Sequence, residues 1–285
     1  VSINRVLVFV GAHPDDESFG IGGTLAQYAA DGVKVYYICG TRGEAGEVNP
    51  ETLTGYSSIA ELRTHELKCA AGILGLADVI FLGYRDSGMA GSEDNKHPQA
   101  LAAAPLEEVA GLIVEIFRRL KPQVVITFDP IGGYHHPDHV AIHNATVMAF
   151  SAAGDPQKYP EAGPTFRPQK LYFNVFPHRF LKVMVKLMTL FRRDAHHFGR
   201  NKDIDLASFV ETDFPVHTVI RLKKESVRMR DRAAACHASQ LSGGSPRRGL
   251  FGLIIKVFGQ RDSFMRAEPP VKGRRHEHDL FEGVV

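Results

Sequence analysis

The chain has 285 residues, 44% hydrophobic and 23% charged, as ordinary globular proteins do. Its 34 basic and 32 acidic residues leave a net charge of +2, which gives no reason to expect nucleic acid or a membrane surface as a partner. No apolar run approaches the roughly 18 residues of a membrane span, and no secretory leader is visible ahead of Val6–Val10, so the cytoplasm is the expected location.

Short apolar, β-branched or aromatic runs predict buried strands at Arg5–Gly11, Val33–Cys39, Val79–Leu82 and Val124–Phe128. Helical stretches fall between them at Gly22–Ala30, Ser57–Leu74, Pro105–Leu120 and Pro137–Ala152. This alternation predicts an α/β fold: a mostly parallel sheet with helices on both faces. Further strands are expected at Leu171–Phe176 and Val216–Leu222, although order is less regular after residue 150. One domain over 1–285 is expected, with its core in 1–150 and the remainder completing it. Long loops at 40–56 and 83–103 each follow a strand, and loops of this length are often functional. The three cysteines, Cys39, Cys69 and Cys236, are widely spaced and form no CxxC, so all three are expected to be reduced.

The first strand runs into Ala12-His13-Pro14-Asp15-Asp16-Glu17. Pro14 biases His13 toward an extended backbone and stiffens the turn. His13 can then share a point in space with a neighbouring carboxylate, and imidazole with carboxylate suits zinc or a similar divalent ion. Spacing leaves open which of Asp15 and Asp16 would bind it. The fourth strand is followed by Gly132-Gly133-Tyr134-His135-His136-Pro137-Asp138-His139. Proline is favoured at the first helical position, which puts His136 at the cap and His139 three residues on, on the same face. In an open parallel sheet, ligands bind beyond the carboxyl ends of the strands at a topological switch point. The fold can therefore join the two segments into one site with an open coordination position.

AHPDDE at 12–17 and HPDH at 136–139 resemble the two signatures of the LmbE-like, or PIG-L-type, zinc-dependent N-acetylglucosamine deacetylases. The resemblance covers residues 5–150 and is thin beyond. It implies a Rossmann-like fold and hydrolysis of an N-acyl group, usually acetyl, from an amino sugar or its conjugate. By motif position it implies His13, Asp16 and His139 as metal ligands, Asp15 as general base and His136 as the group that stabilises the transition state. Zinc is the implied ion, with ferrous iron the alternative.

The chemistry is consistent with those roles. A bound divalent ion brings the pKa of water to about 7. Asp15 can accept its proton, and a protonated His136 would face the developing oxyanion. Asp138 could hold an imidazole in place. Four further residues are candidates for substrate contact. Arg63, in an Arg-x-x-Glu pair with Glu66, is similar to a family arginine that reaches substrate, although an exposed i,i+3 salt bridge explains the pair equally well. Asp86, in Arg85-Asp86-Ser87-Gly88-Met89, resembles a loop of the mycothiol-pathway deacetylases, where an aspartate contacts sugar hydroxyls. Glu47 and Tyr134 complete the set. His135 stands where relatives often carry glycine, and the spacing to His139 favours His136 as the inward residue.

Other segments read as structural. Gly20–Gly23 lacks the strand-end position of a dinucleotide fingerprint and is expected to open a helix. His276-Glu277-His278-Asp279 is expected to be a solvated tail, and His196-His197 likewise. The basic, apolar stretch 179–193 is expected to be a helix on the core, on a partner subunit or over the cleft, which would allow a homo-oligomer. The competing functions are an amidase acting on a thiol conjugate, a non-catalytic metal-binding carbohydrate-recognition protein and a nucleotide-binding protein. The acidic first turn argues against the last.

Overall fold

A computed structural model describes residues 4–175, 182, 185–186, 188–190, 212–241, 260–271 and 276–285. The first strand, β1 (Val6–Gly11), is buried along its whole length, as a continuous apolar run requires when both faces are covered. Leu7 and Phe9 enter one core with Leu25, Val35 and Leu67, while Val8 and Val10 enter the other with Ile113, Phe117 and Ile142. After β1 come the single turn α1 (Asp16–Phe19), α2 (Gly22–Ala30) and β2 (Lys34–Cys39). α3 (Ile59–Leu74), β3 (Asp78–Phe81), α4 (Leu106–Leu120) and β4 (Val124–Phe128) follow. The loop turn α5 (Gly132–His135) and α6 (Pro137–Ala152) complete the first half. α3 starts where its sequence says it should: the Ser58 side chain accepts the Glu61 N–H at its N-terminus, and Gly75 ends it at φ 75°.

The second half supplies β5 (Lys170–Asn174), β6 (Thr218–Arg221), α7 (Lys224–Cys236) and β7 (Arg261–Glu268). All seven strands form one sheet in the order β3-β2-β1-β4-β5-β7-β6. β1 pairs in parallel with both β2 and β4, and β4 with β5, whereas β7 runs antiparallel to β5 and β6. The chain order reverses between β1 and β4, and the crevice at their carboxyl ends is the switch point. The Gly20–Gly23 run opens α2 as expected. A Cβ on Gly23 would lie 2.3 Å from Leu222 Cδ1, so the helix start packs directly on the end of β6.

Two expectations fail in this half. Cys69 and Cys236 form a disulfide, with Cα atoms 6.0 Å apart; Cys39 stays a buried free thiol. Packing of α7 against α3 joins residues 167 positions apart, which no spacing rule could have found. The 276–279 segment is not a solvated tail either. Glu277 is buried and accepts from Lys170 Nζ (3.0 Å), Tyr172 Oη (2.7 Å), Thr218 Oγ1 (3.2 Å) and Arg266. These partners come from three strands, so the segment caps the antiparallel end of the sheet. No described helix is long and apolar enough to cross a membrane. His196-His197 and most of the 179–193 stretch lie outside the described residues.

Candidate active site

The turn after β1 is held by its own main chain. Asp16 Oδ2 accepts the N–H groups of Ala12 (2.9 Å) and His13 (2.8 Å), which leaves Oδ1 turned toward the crevice. Tyr37 Oη donates to the His13 carbonyl (2.6 Å) and Thr41 Oγ1 to that of Ala12 (3.0 Å), anchoring the turn to β2. Asp15 sits at φ 130°, a backbone angle that L-residues rarely adopt and that tends to cluster at functional sites.

The turn after β4 is organised by Asp129, whose Oδ1 accepts from Ile131 N (3.1 Å) and Gly133 N (2.9 Å). Gly132 has φ 64°, and a Cβ there would come within 2.7 Å of His139 Cβ. Only glycine fits that turn against that histidine. His136 is the N-cap of α6, with Pro137 at the first helical position. Its ring is buried 4.6 Å from that of His13 and 4.9 Å from that of His139. His135 is exposed and points away from the cluster.

The two turns converge. His13 Nδ1 lies 3.2 Å from His139 Nε2, His139 Nε2 lies 3.4 Å from Asp16 Oδ1, and His13 Nδ1 lies 3.9 Å from Asp16 Oδ2. Ligands on a tetrahedral zinc at 2.0–2.1 Å would stand about 3.3 Å apart, close to the His13–His139 and His139–Asp16 Oδ1 separations. His136 belongs to the same buried constellation. The far nitrogens set the tautomers. His13 Nε2 faces Asp138 Oδ2 (3.0 Å) and His139 Nδ1 faces the Gly132 carbonyl (3.1 Å). With their far nitrogens engaged in this way, His13 Nδ1 and His139 Nε2 are the ring atoms that would present lone pairs to an ion, the usual pattern for metal-binding histidines. Asp138 thus orients His13, while its N–H caps His136 Nδ1 (3.2 Å).

The electrostatics favour a cation. Burial works against protonated His13, yet Asp86, Asp138 and Asp16 raise its pKa well above the ordinary value. Burial also opposes ionised Asp16, but His139 and His13 hold its carboxyl far below the usual range. Burial, helped by Asp16 and opposed by Arg63, pushes Asp15 up to about 6. His136 goes the other way: burial, with His13 and His139 beside it, takes its pKa well below the ordinary value. It is therefore neutral near pH 7, not protonated as the sequence reading supposed. Because Nδ1 accepts from Asp138, its proton sits on Nε2.

Arg63 and Glu66 are both buried and diverge, so they are not an exposed salt bridge. Arg63 Nη2 donates to Asp15 Oδ2 (3.1 Å) and to the Pro14 carbonyl (2.6 Å), and Nη1 lies 4.0 Å from Asp86 Oδ2. Glu66 accepts from Ser239 N and Oγ instead. Asp86 stands 3.5 Å from His13 Nε2 and is buried. Tyr134 is half-buried, its ring edge-on to His139 at 5.2 Å. Glu47 is exposed on its loop. The sequence reading missed Glu44, Ser87, Glu17 and His237. Glu44 accepts the Asp86 N–H (3.0 Å), and Ser87 donates to Asp138 through both N (3.0 Å) and Oγ. Glu44 and Ser87 lie in loops already suspected, where an acid or hydroxyl beside a candidate was the available signal. His237 had no local signal at all.

The family model described as PIG-L, GlcNAc-PI de-N-acetylase, matches residues 8–150. The chain belongs to the PIG-L family. A PIG-L relative in Thermobifida fusca, 1D-myo-inositol 2-acetamido-2-deoxy-alpha-D-glucopyranoside deacetylase, is 40% identical over 290 residues, covering 98% of this chain and 99% of that one. Among solved structures, N,N'-diacetylchitobiose deacetylase from Pyrococcus horikoshii matches at TM-score 0.63 and 17% identity, covering 92% of this chain and 83% of that one. The zinc-inhibited form of teicoplanin deacetylase Orf2 matches at TM-score 0.56 and 18% identity, covering 93% of this chain and all of that one. These two likenesses are of fold, and the PIG-L motifs fall at the switch point of that fold.

Proposed function

We propose that this PIG-L chain is a zinc-dependent deacetylase that hydrolyses the N-acetyl group of an N-acetylglucosamine–inositol conjugate. The observation that supports the chemistry is the approach of His13 Nδ1 to His139 Nε2 (3.2 Å) and of His139 Nε2 to Asp16 Oδ1 (3.4 Å), with His136 in the same buried histidine cluster. The substrate class rests on the name of the near-full-length relative. His13, Asp16 and His139 hold the ion; bound there, it lowers the pKa of water and polarises an acyl oxygen.

Asp15 takes the proton of the attacking water; burial has brought its carboxyl to about 6, close to the operating pH. Arg63 grips Asp15 Oδ2 and leaves Oδ1 for the proton. His136 donates its Nε2–H to the amide oxygen as negative charge builds. The amine leaves once Asp15 returns the proton. Asp138 keeps His13 in the metal-facing tautomer. Asp86, Arg63, Glu47 and Tyr134 line the sugar side in this reading.

In this reading 1–285 is one domain, which is supported by β5, β7 and β6 extending the sheet that β1–β4 begin. The cytoplasm is the proposed location.

The test is amine release from the N-acetylglucosamine–inositol conjugate, from N-acetylglucosamine and from an N-acylated thiol conjugate, by protein stripped with chelator and reloaded with zinc or ferrous iron. Release from the inositol conjugate that needs zinc and disappears in His13→Ala is expected. Tight zinc binding without release from any of the three overturns the reading.

A further inference from the structure

We propose that His237 is a positioning residue for the reaction, fixing Asp15 through Glu17; this rests on Asp15 being the base in the reading above. Asp15 has φ 130° and ψ −24°, a conformation its own chain does not favour. Such an angle persists only where the surroundings over-determine it. Its N–H is held by Glu17 Oε2 at 2.9 Å. Glu17 is fully buried, and its other oxygen accepts from Ser18 Oγ (2.6 Å) and faces His237 Nε2 at 2.7 Å.

His237 is the first residue after α7 and is fully buried too. Among the described residues its Nδ1 has no hydrogen-bond partner. Glu17 and the Phe19 ring, 5.8 Å away, are therefore what set the imidazole plane. Two residues on, Ser239 holds Glu66 through N (2.8 Å) and Oγ (2.7 Å). Glu66 lies one turn along α3 from Arg63, which donates to Asp15 Oδ2 and to the Pro14 carbonyl.

The 237–239 turn thus grips Asp15 from both ends. His237 acts on its main chain through Glu17, and Ser239 acts on its carboxylate partner through α3. Removing the imidazole leaves the Glu17 carboxylate buried beside an empty donor position. A buried carboxylate that loses its donor no longer has a fixed place, and the acceptor for the Asp15 N–H moves with it. The metal ligands have their own anchors: Asp16 is tied to the Ala12 and His13 N–H groups, and His139 to Gly132. The loss therefore falls on the proton transfer and spares ion binding and substrate binding.

The experiment uses the full chain loaded with zinc, as wild type, His237→Leu and His237→Gln, with the N-acetylglucosamine–inositol conjugate as substrate. His237→Leu is expected to lower kcat by ~10- to 100-fold, as loss of a supporting partner does. KM should stay within about twofold and zinc stoichiometry should be unchanged. His237→Gln can donate again to Glu17 and should recover most of kcat. Amide hydrogen exchange at Asp15 gives a readout independent of turnover, and should speed up in the Leu variant and return in the Gln variant. Wild-type kcat in a folded, zinc-loaded His237→Leu protein, or unchanged Asp15 exchange, overturns the proposal. If wild type releases no amine, the functional reading has failed, and the exchange measurement alone decides whether His237 braces Asp15. Should the Leu variant not fold, Glu17→Gln reports on the same link through the same exchange.

Discussion

Asp15 and Gly132 carry opposite burdens at the residue scale. Asp15 keeps a side chain where the backbone disfavours one, while Gly132 must have none. Replacing Asp15 with Asn preserves the size and the contact with Arg63 but removes the base. kcat should fall about 100- to 10,000-fold with zinc content intact; steady-state kinetics beside metal analysis would decide, and near-normal turnover would end the case for Asp15. Gly132→Ala should instead strike the ion. The new Cβ meets His139 Cβ and Val140 N and drives the ring from its lone-pair geometry. Zinc affinity should drop ~10-fold or more by competition with a chromogenic chelator. Unaltered affinity would mean that the turn relaxes without moving His139. At this scale much was legible in the chain. AHPDDE and HPDH single out the candidate groups, Pro137 fixes the cap, and the division of roles between Asp15 and Asp16 rests on the family resemblance. The protonation of His136 was not legible, because it depends on burial and on two other imidazoles that only the fold brings near.

At the scale of elements, legibility followed the range of the interactions. β1 to α6 alternate strongly enough for sequence to find each strand and each long helix within a few residues, though not the single turns α1 and α5. α7 and β7 were missed: α7 is mostly polar and half-exposed, and β7 (RDSFMRAE) mixes charge with apolar positions because it packs between β5 and β6. The α3–α7 disulfide closes a loop of 167 residues, and by loop entropy such a bond stabilises by on the order of 5 kcal/mol. A Cys69→Ser, Cys236→Ser protein should therefore lose several kcal/mol in urea unfolding. Equal midpoints for the two proteins under oxidising conditions would mean that the bond adds nothing to stability.

For the molecule as a whole, the Glu277 cluster ties the 276–279 segment to the antiparallel end of the sheet. Burial raises the Glu277 pKa, but the hydrogen bonds from Tyr172 and Lys170 and the charges of Lys170 and Arg266 outweigh it and hold the group below its ordinary value. A carboxyl with a depressed folded pKa stabilises above its unfolded value, about 4.3 for Glu. That contribution is lost as pH falls through the folded value. Wild type should therefore lose melting temperature steeply below about pH 4.5. Glu277→Gln should start less stable at neutral pH and show a shallower acid limb. Parallel Tm–pH curves would exclude this cluster as a source of acid sensitivity. The whole-molecule arrangement, helices on both faces and a site at the switch point, was readable from strand alternation. Its antiparallel end was not, because that end is built from long-range contacts such as Lys170–Glu277, 107 residues apart, and Thr24–Asp262, 238 apart.

The contact between Glu17 and His237 spans 220 positions of chain. A ribosome adding 5–20 residues each second needs roughly 10–45 s to get from one to the other. The first strand and its acidic turn leave the exit tunnel early and can pair with β2 and β4 long before their brace exists. From His139 to His237, the last 98 positions of that interval, a growing chain carries every residue of both motifs without the partner that seats Asp15. The PIG-L signature is complete once His139 is added, and the working site only once His237 has followed.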